Sequence, residues 1–269
     1  MVFFVIFQLM KRTVLFVFLF LAITERLFAF DISGLQPLAP NGVFSTFSAE
    51  SLEQNKASVE IGAEKSVEPD FYRFSVKAAY GIRDNMELNM TIPYVHHYSG
   101  DRSGLEDIAV GFKHRFYDEE KYGPSLAYLL SGSIPSGADA LTSDGRLLAG
   151  LIVSKRVGPF SGHVNLFYER PGTASMNDGI FLLGGIEFSA AHNFKILSEI
   201  IVKENHEKNK NNQIEGRFGY RLKTTEYIYT TFGAGLDMKA RSPEFRMFMS
   251  VNFTTSKEKT QIKKVIEEE

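Results

Sequence analysis

Histidine is the residue type in this sequence that could supply a catalytic base or a metal ligand, because the chain has six histidines and no cysteine. A serine-type hydrolase needs a hydroxyl in contact with an imidazole that a carboxylate orients. His96 and His97 are adjacent, so on a strand they point to opposite faces and cannot chelate one ion together. His114 lies among apolar residues, and His192 and His206 lie in connecting segments. These five histidines are poor candidates for a site.

His163 shares its strand face with two other polar residues, Asn165 and Glu169. It could be a catalytic base, but a polar residue inside a barrel is the favoured interpretation, because no G-x-S-x-G, H-E-x-x-H or paired-aspartate motif occurs. The lack of cysteine excludes a thiolate zinc site and a cysteine nucleophile. We therefore expect no catalytic residue, no metal site and no cofactor.

Most of the charged residues alternate with apolar residues along the chain. In one stretch the two sets are Ile214, Gly216, Phe218, Tyr220 and Leu222 against Glu215, Arg217, Gly219 and Arg221. Successive side chains of a strand point to opposite faces, so this period of two indicates β-strands with two different faces. Phe248 is an exception, since it falls on the polar side of its strand. The pattern predicts twelve strands, which begin near Lys56, Asp70, Met86, Leu105, Ser125, Arg146, Phe160, Asp178, Phe194, Gln213, Glu226 and Glu244.

The alternation does not say which face meets water, because a soluble sandwich or lipocalin would bury the apolar face. Three features favour a membrane barrel. The strands suit the ~9–11 residues of a tilted membrane strand, short and long connections alternate, and aromatic residues lie at strand ends, namely Tyr80, Tyr94, Phe116, Phe188 and Phe253. We therefore expect an all-β fold, a transmembrane antiparallel up-and-down β-barrel of about 12 strands of the bacterial outer-membrane type.

In such a barrel the polar face of each strand lines the lumen. The candidate lumen-lining residues are Glu60, Arg73, Lys77, Glu87, Lys113, Arg115, Lys155, His163, Glu169, Glu187, Glu199, Lys203, Glu215, Arg217, Arg221, Asp237 and Arg246. These charges could select solutes. Alternatively, acids and bases could pair and fill a narrow lumen. The second interpretation is favoured, because the two signs are nearly balanced, and it predicts a small or closed pore.

The two ends of the chain differ from the middle. Residues 1–29 combine Lys11 and Arg12, an apolar run and the small residue Ala29, which indicates a signal peptide; an uncleaved anchor is the alternative. Translation could start at Met10 instead of Met1. Residues 30–55 are expected to be a periplasmic lead-in or, less favoured, a plug inside the lumen. The barrel is expected to span 56–255, and 256–269 form a polar C-terminal tail with four lysines and four glutamates.

Several segments resemble a known family: Tyr80-Gly81-Ile82-Arg83-Asp84-Asn85-Met86-Glu87-Leu88, Ile92-Pro93-Tyr94, the stretch from Gly104 to Phe116, and Ser133-Ile134-Pro135-Ser136-Gly137. They are similar to the outer-membrane family associated with the meta-pathway of phenol degradation, over about residues 72–137. The resemblance implies an exported barrel that passes small hydrophobic or aromatic molecules.

We accordingly expect a channel for passive passage in the bacterial outer membrane. A non-transporting structural or surface-interaction barrel is the alternative, and an outer-membrane hydrolase is less favoured. The expected partners are outer-membrane lipid, a small-molecule solute and the outer-membrane insertion machinery. Nucleic acid is not expected, because the net charge of −2 lacks the required basic excess.

Overall fold

The computed structural model describes residues 34–67, 70–98, 102–138, 141–173, 176–204, 212–238 and 245–255. The expected signal peptide and the polar tail after residue 255 lie outside these ranges. Within the described ranges, no helix has the length and apolar character needed to cross a membrane.

The described residues form thirteen strands that follow one another along the chain. They are β1 (Ala57–Ser66), β2 (Phe71–Arg83), β3 (Met86–Tyr98), β4 (Arg102–Leu105), β5 (Ile108–Tyr117), β6 (Ser125–Ile134), β7 (Arg146–Val157), β8 (Phe160–Pro171), β9 (Gly179–Ala191), β10 (Phe194–Lys203), β11 (Gln213–Thr225), β12 (Ile228–Asp237) and β13 (Phe245–Thr254).

Twelve of these strands form a closed antiparallel barrel. The long strands pair in chain order, with β3 next to β5, and the last strand pairs with the first from Ser58 opposite Thr254 to Ser66 opposite Arg246. The predicted twelve-stranded barrel is confirmed. The short strand β4 was not predicted; it pairs with the end of β3, so the predicted strand near Leu105 starts at Ile108 as β5.

The barrel has two ends that differ in their connections. At the turn end, residues 84–85, 158–159 and 192–193 are two-residue connections. At the loop end, the connections at 135–145, 172–178, 204–212 and 238–244 are longer. The β5–β6 connection, residues 118–124, breaks the rule, because it is long but lies at the turn end.

The apolar face of each strand points outward. In β1, Ile61 is 57% exposed while its neighbour Glu60 is 4% exposed, and the alternation continues around the barrel. Outward residues such as Leu151, Leu166 and Phe218 form an apolar surface that suits lipid, because each is at least half exposed. The charged face is therefore enclosed, as the predicted membrane barrel requires.

Candidate functional site

The lumen holds most of the charged residues that the sequence assigned to it. Thirteen of them have buried side chains: Glu60, Arg73, Lys77, Glu87, Lys113, Arg115, His163, Glu169, Glu187, Glu199, Glu215, Arg221 and Arg246. Arg217, Lys203 and Asp237 are less buried, but they occupy inward positions in the alternation of their strands.

Lys155 is a correction to the predicted set. On β7 the inward positions are those of Ile152 and Ser154, so Lys155 lies on the outward face with Val153. Its Nζ donates to the carbonyl oxygens of the β5–β6 connection, at 2.6 Å from Glu120 and 3.0 Å from Gly123. The long connection at the turn end thus holds a lysine on the outward face, although its charge had suggested the lumen.

Oppositely charged lumen residues form ion pairs with one another. Glu60 lies opposite Lys77 in the β1–β2 register, and their Oε1 and Nζ atoms are 3.0 Å apart. Other inward pairs are Arg146–Glu169 at 2.9 Å, Arg221–Glu187 at 3.0 Å, Lys113–Glu87 at 3.2 Å and Arg217–Glu215 at 2.6 Å. Strand register places Glu60 directly opposite Lys77 and Lys113 directly opposite Glu87, an arrangement that favours pairing in a sheet. The pair Arg217–Glu215 instead lies along β11, and the pair Arg221–Glu187 joins β11 to β9. This pairing is what the filled-lumen interpretation expected.

Residues 34–55, here called the plug segment, lie inside the barrel and not in a periplasmic lead-in. Phe47 N donates to Asn165 Oδ1 at 2.6 Å, and Asn165 Nδ2 donates back to Phe47 O at 2.9 Å. Ala49 N donates to Ser154 Oγ at 2.9 Å, and Leu52 N donates to Glu87 Oε2 at 2.8 Å. Inward polar side chains thus satisfy backbone groups of a segment that has little regular structure of its own.

On one side the plug segment packs against apolar inward residues of β6–β10, here called the apolar wall. They are Ala127, Leu129, Ile152, Phe167, Phe181, Leu183 and Ile201. Phe47 is 2% exposed and meets the Phe167 ring edge-on, with ring centroids 6.0 Å apart. Leu35 packs on the same cluster. The wall and these two side chains form a small hydrophobic core inside the barrel.

On the other side the plug segment faces ionic residues of β1, β2, β11 and β13, here called the charged wall. They are Glu60, Glu64, Arg73, Lys77, Arg217, Arg221 and Arg246. Arg221 donates to the backbone oxygens of Pro40, Gly42 and Val43, at 3.4, 2.6 and 3.1 Å. Its remaining contacts are Glu187 and Thr231, so this buried guanidinium joins the wall to the plug segment.

Glu199 on β10 lies between the two walls and accepts three hydrogen bonds from the plug segment. Its Oε1 atom receives Ser45 N at 2.8 Å, Thr46 N at 2.5 Å and Thr46 Oγ1 at 2.6 Å. Arg217 Nη1 lies 3.7 Å from Glu199 Oε2 and donates to Ser45 Oγ at 2.7 Å. Hydrogen bonds to a carboxylate are stronger than those between neutral groups, so Glu199 is a strong attachment point for the plug segment.

A cavity of about 60 Å³ remains between the plug segment and the charged wall. It lies where inward side chains are short: Gly62 on β1 is opposite Ser75 on β2 and Ser250 on β13, and Ser250 is opposite Thr231 on β12. A Cβ at Gly62 would come within 2.9 Å of Ser75 Oγ, so the absence of a side chain helps to leave this space. The cavity is large enough for ordered water.

His163 contacts a hydroxyl, as a hydrolase would require, but in a closed environment. Its Nδ1 lies 2.8 Å from Ser154 Oγ, and the plug segment covers Ser154 through Ala49 N. Among the described residues, no group of three or more His, Asp or Glu side chains is arranged to hold a metal ion.

Sequence reasoning missed two lumen cations, Lys195 and Arg146. Lys195 pairs with Glu187 at 3.1 Å, and its spacing from Leu197 and Glu199 placed it on the inward face. The plug segment also had a signal: a barrel filled with water would not line its lumen with Phe167, Phe181 and Leu183. Phe248, the exception in β13, is explained by its edge-on contact with Phe44 at 4.7 Å.

Outside the strands, Asp107 joins two loop-end connections. Its carboxylate accepts hydrogen bonds from Ser143 N at 2.8 Å, Ser143 Oγ at 2.6 Å, Thr142 Oγ1 at 2.7 Å and Gly137 N at 3.2 Å. Burial acts to raise the pKa of Asp107, but these hydrogen bonds outweigh it and hold the pKa below its usual range. Asp107 therefore stays ionised and fastens the 135–145 connection near β5.

The barrel is similar to solved outer-membrane channels. An outer membrane channel from Pseudomonas putida F1 superposes with a TM-score of 0.62 at 12% identity, over 77% of this chain and 97% of that one. The KdgM porin superposes with a TM-score of 0.56 at 13% identity, over 73% of this chain and 98% of that one. The NanC porin superposes with a TM-score of 0.57 at 10% identity, over 72% of this chain and 98% of that one. No family model and no curated protein sequence matches the chain.

These similarities show the fold. It is a closed twelve-stranded barrel of the bacterial outer-membrane type, in agreement with the predicted location. The resemblance to the family of the phenol meta-pathway stays a prediction, since no family model matches.

Proposed function

We propose that the protein is an outer-membrane channel for passive passage of small solutes, narrowed by the plug segment. The supporting observation is a closed barrel with an apolar outer surface and a polar cavity inside, beside the plug segment. Porin barrels combine a lipid-facing apolar band with a polar interior. The likeness to a solved channel and to porins supports the same role.

Hydrophobic or aromatic solutes, which the family resemblance implies, are the finer part of this proposal. The apolar wall supports it, because Phe167, Phe181 and Leu183 offer a hydrophobic inner surface. Leu35 and Phe47 cover that surface, so such a solute reaches it only after the plug segment moves. The proposal also assigns outer-membrane lipid to the outward apolar residues and the insertion machinery to the final strand near Phe253.

Conductance in planar bilayers tests the channel, with the full chain compared to a variant that lacks residues 36–52. The full chain is expected to give a small conductance, and the deletion a larger one, because the lumen charges then meet water. A heat-dependent shift on a detergent gel shows that each barrel has folded. A folded barrel that conducts in neither form contradicts the channel.

A non-transporting barrel is the second candidate, and the paired lumen charges favour it. Pairs such as Lys77–Glu60 and Lys113–Glu87 fill space between the wall and the plug segment. Swelling of liposomes in a monosaccharide separates the two functions. A structural barrel gives no swelling even without the plug segment, whereas a channel does.

A further inference from the structure

More cations than anions line the cavity beside the charged wall. Four of the six charged residues that line it are cations, Arg73, Lys77, Arg217 and Arg221, and the two anions are Glu60 and Glu64. The uncharged barrel residues that line it are the hydroxyl-bearing Ser75, Ser250 and Thr231 together with Gly62, Ala63, Phe248 and Met249.

The acids that balance these cations lie mostly behind them. Arg73 pairs with Glu106 at 3.0 Å, and Arg221 pairs with Glu187 at 3.0 Å. Arg217 pairs with Glu215, and none of these three acids lines the cavity. Each of these three guanidinium groups therefore lines the cavity, while its nearest carboxylate partner does not.

Near neighbours dominate the potential at a point in the lumen, since the interaction of two charges falls with distance. A solute in the cavity meets the cations and the hydroxyl groups first. Arginine and lysine donate charge-assisted hydrogen bonds to carboxylate and phosphate oxygens, and hydroxyl groups add neutral ones. A cation would meet only Glu60 and Glu64, both of which already pair with lining cations.

We propose that the passage between the plug segment and the charged wall selects small anionic solutes, of the carboxylate or phosphate class. This inference rests on the proposed channel and adds a solute class for the charged side of the lumen, beside the hydrophobic solutes proposed for the apolar wall. Arg217 and Glu64 line the same cavity with opposite charge, so removing each charge should change the ratio of chloride to potassium permeability in opposite directions.

The test is the zero-current potential of the refolded full chain in a planar bilayer with a KCl gradient. The expected result is a chloride permeability above that of potassium. Arg217→Gln is expected to lower the permeability ratio and Glu64→Gln to raise it, each by about threefold, the effect of one unit charge at roughly 6 Å in water. Lys203→Gln is the matched control, since Lys203 lies near the Phe181 ring and away from the cavity.

The outcomes separate the two claims. A folded barrel with no conductance, even without residues 36–52, contradicts the channel and this inference with it. A conducting barrel with equal permeabilities, or with the same ratio in Arg217→Gln and Glu64→Gln, leaves the channel standing and overturns the anion selectivity. Competition of chloride current by added acetate and by added phosphate then shows which class of anion the passage holds.

Discussion

Phe47 meets the apolar wall through its ring, whereas Pro40, Gly42 and Val43 meet the charged wall through backbone oxygens that Arg221 holds. The first contact depends on packing and the second on hydrogen-bond direction. The apolar side closes tightly around Phe47 and Leu35, while the charged side leaves a cavity.

The difference follows from what each kind of contact requires. Apolar side chains gain free energy in proportion to the area they remove from water, so they close the gap between plug segment and wall. Ionic side chains must keep their partners in specific directions, and their size holds the plug segment away from the small residues Gly62, Ser75 and Ser250. Anchoring and passage are thereby divided between the two sides of one lumen.

The largest effect is expected at the anchor. Phe47→Ala removes the ring from the apolar wall and is expected to weaken attachment of the plug segment by about 3–5 kcal/mol, the usual loss for a buried phenylalanine. The chain has no cysteine, so Ser51→Cys in the plug segment provides a single thiol, buried at 6% exposure, for a labelling assay. Labelling is expected to become much faster in the Phe47→Ala background.

Phe218→Ala is the control for this measurement, because Phe218 is 64% exposed on the outer surface. Its labelling rate is expected to equal that of the parent Ser51→Cys protein. If Phe47→Ala also leaves the rate unchanged, the apolar wall is not the anchor and the comparison of the two sides fails.

The hydrogen-bonded attachment gives the next effect. Glu199→Ala leaves the Ser45 and Thr46 amides without their acceptor, and a loss of about 3 kcal/mol is expected because buried donors without a partner are costly. Glu199→Gln keeps an oxygen that can accept, so its loss is expected to be smaller. Thiol labelling at position 51 ranks the two variants, and equal rates would show that the carboxylate charge, not the acceptor, holds the plug segment.

Asp107 is a buried acid outside the strands, and its described partners are neutral donors from Ser143, Thr142 and Gly137. Its folded pKa is lowered, so its stabilisation is complete above about pH 4, the ordinary value, and is lost as pH falls through the lower folded pKa. Asp107→Asn is expected to loosen the 135–145 connection by about 2 kcal/mol at neutral pH. Hydrogen exchange of that connection measures both, as protection relative to the intrinsic exchange rate at each pH. The same protection above and below pH 4 would contradict the assignment.

The strands and their faces could be predicted because alternation is local: Ile61 and Glu60 differ in kind whatever surrounds them. The location of residues 34–55 could not, because that segment has no period of its own and is fixed by distant partners such as Asn165 and Glu199. Lys155 was misplaced because its charge was taken to mark the inward face, whereas it is in phase with the outward Val153 and its partners lie in the β5–β6 connection. Contacts distant in sequence decide what alternation leaves open.

The smallest effect on attachment of the plug segment is expected at Phe248, whose ring contacts the plug segment on the side of the charged wall. Its ring meets Phe44 at 4.7 Å, and an aromatic pair adds roughly 0.5–1.5 kcal/mol beyond its buried area. Phe248→Leu keeps most of the volume, so we expect about 1 kcal/mol of weaker plug attachment and only a slight rise in labelling at position 51. If that rise matches the rise in Phe47→Ala, anchoring is shared by both sides, and the division between an anchoring wall and a passage wall is wrong.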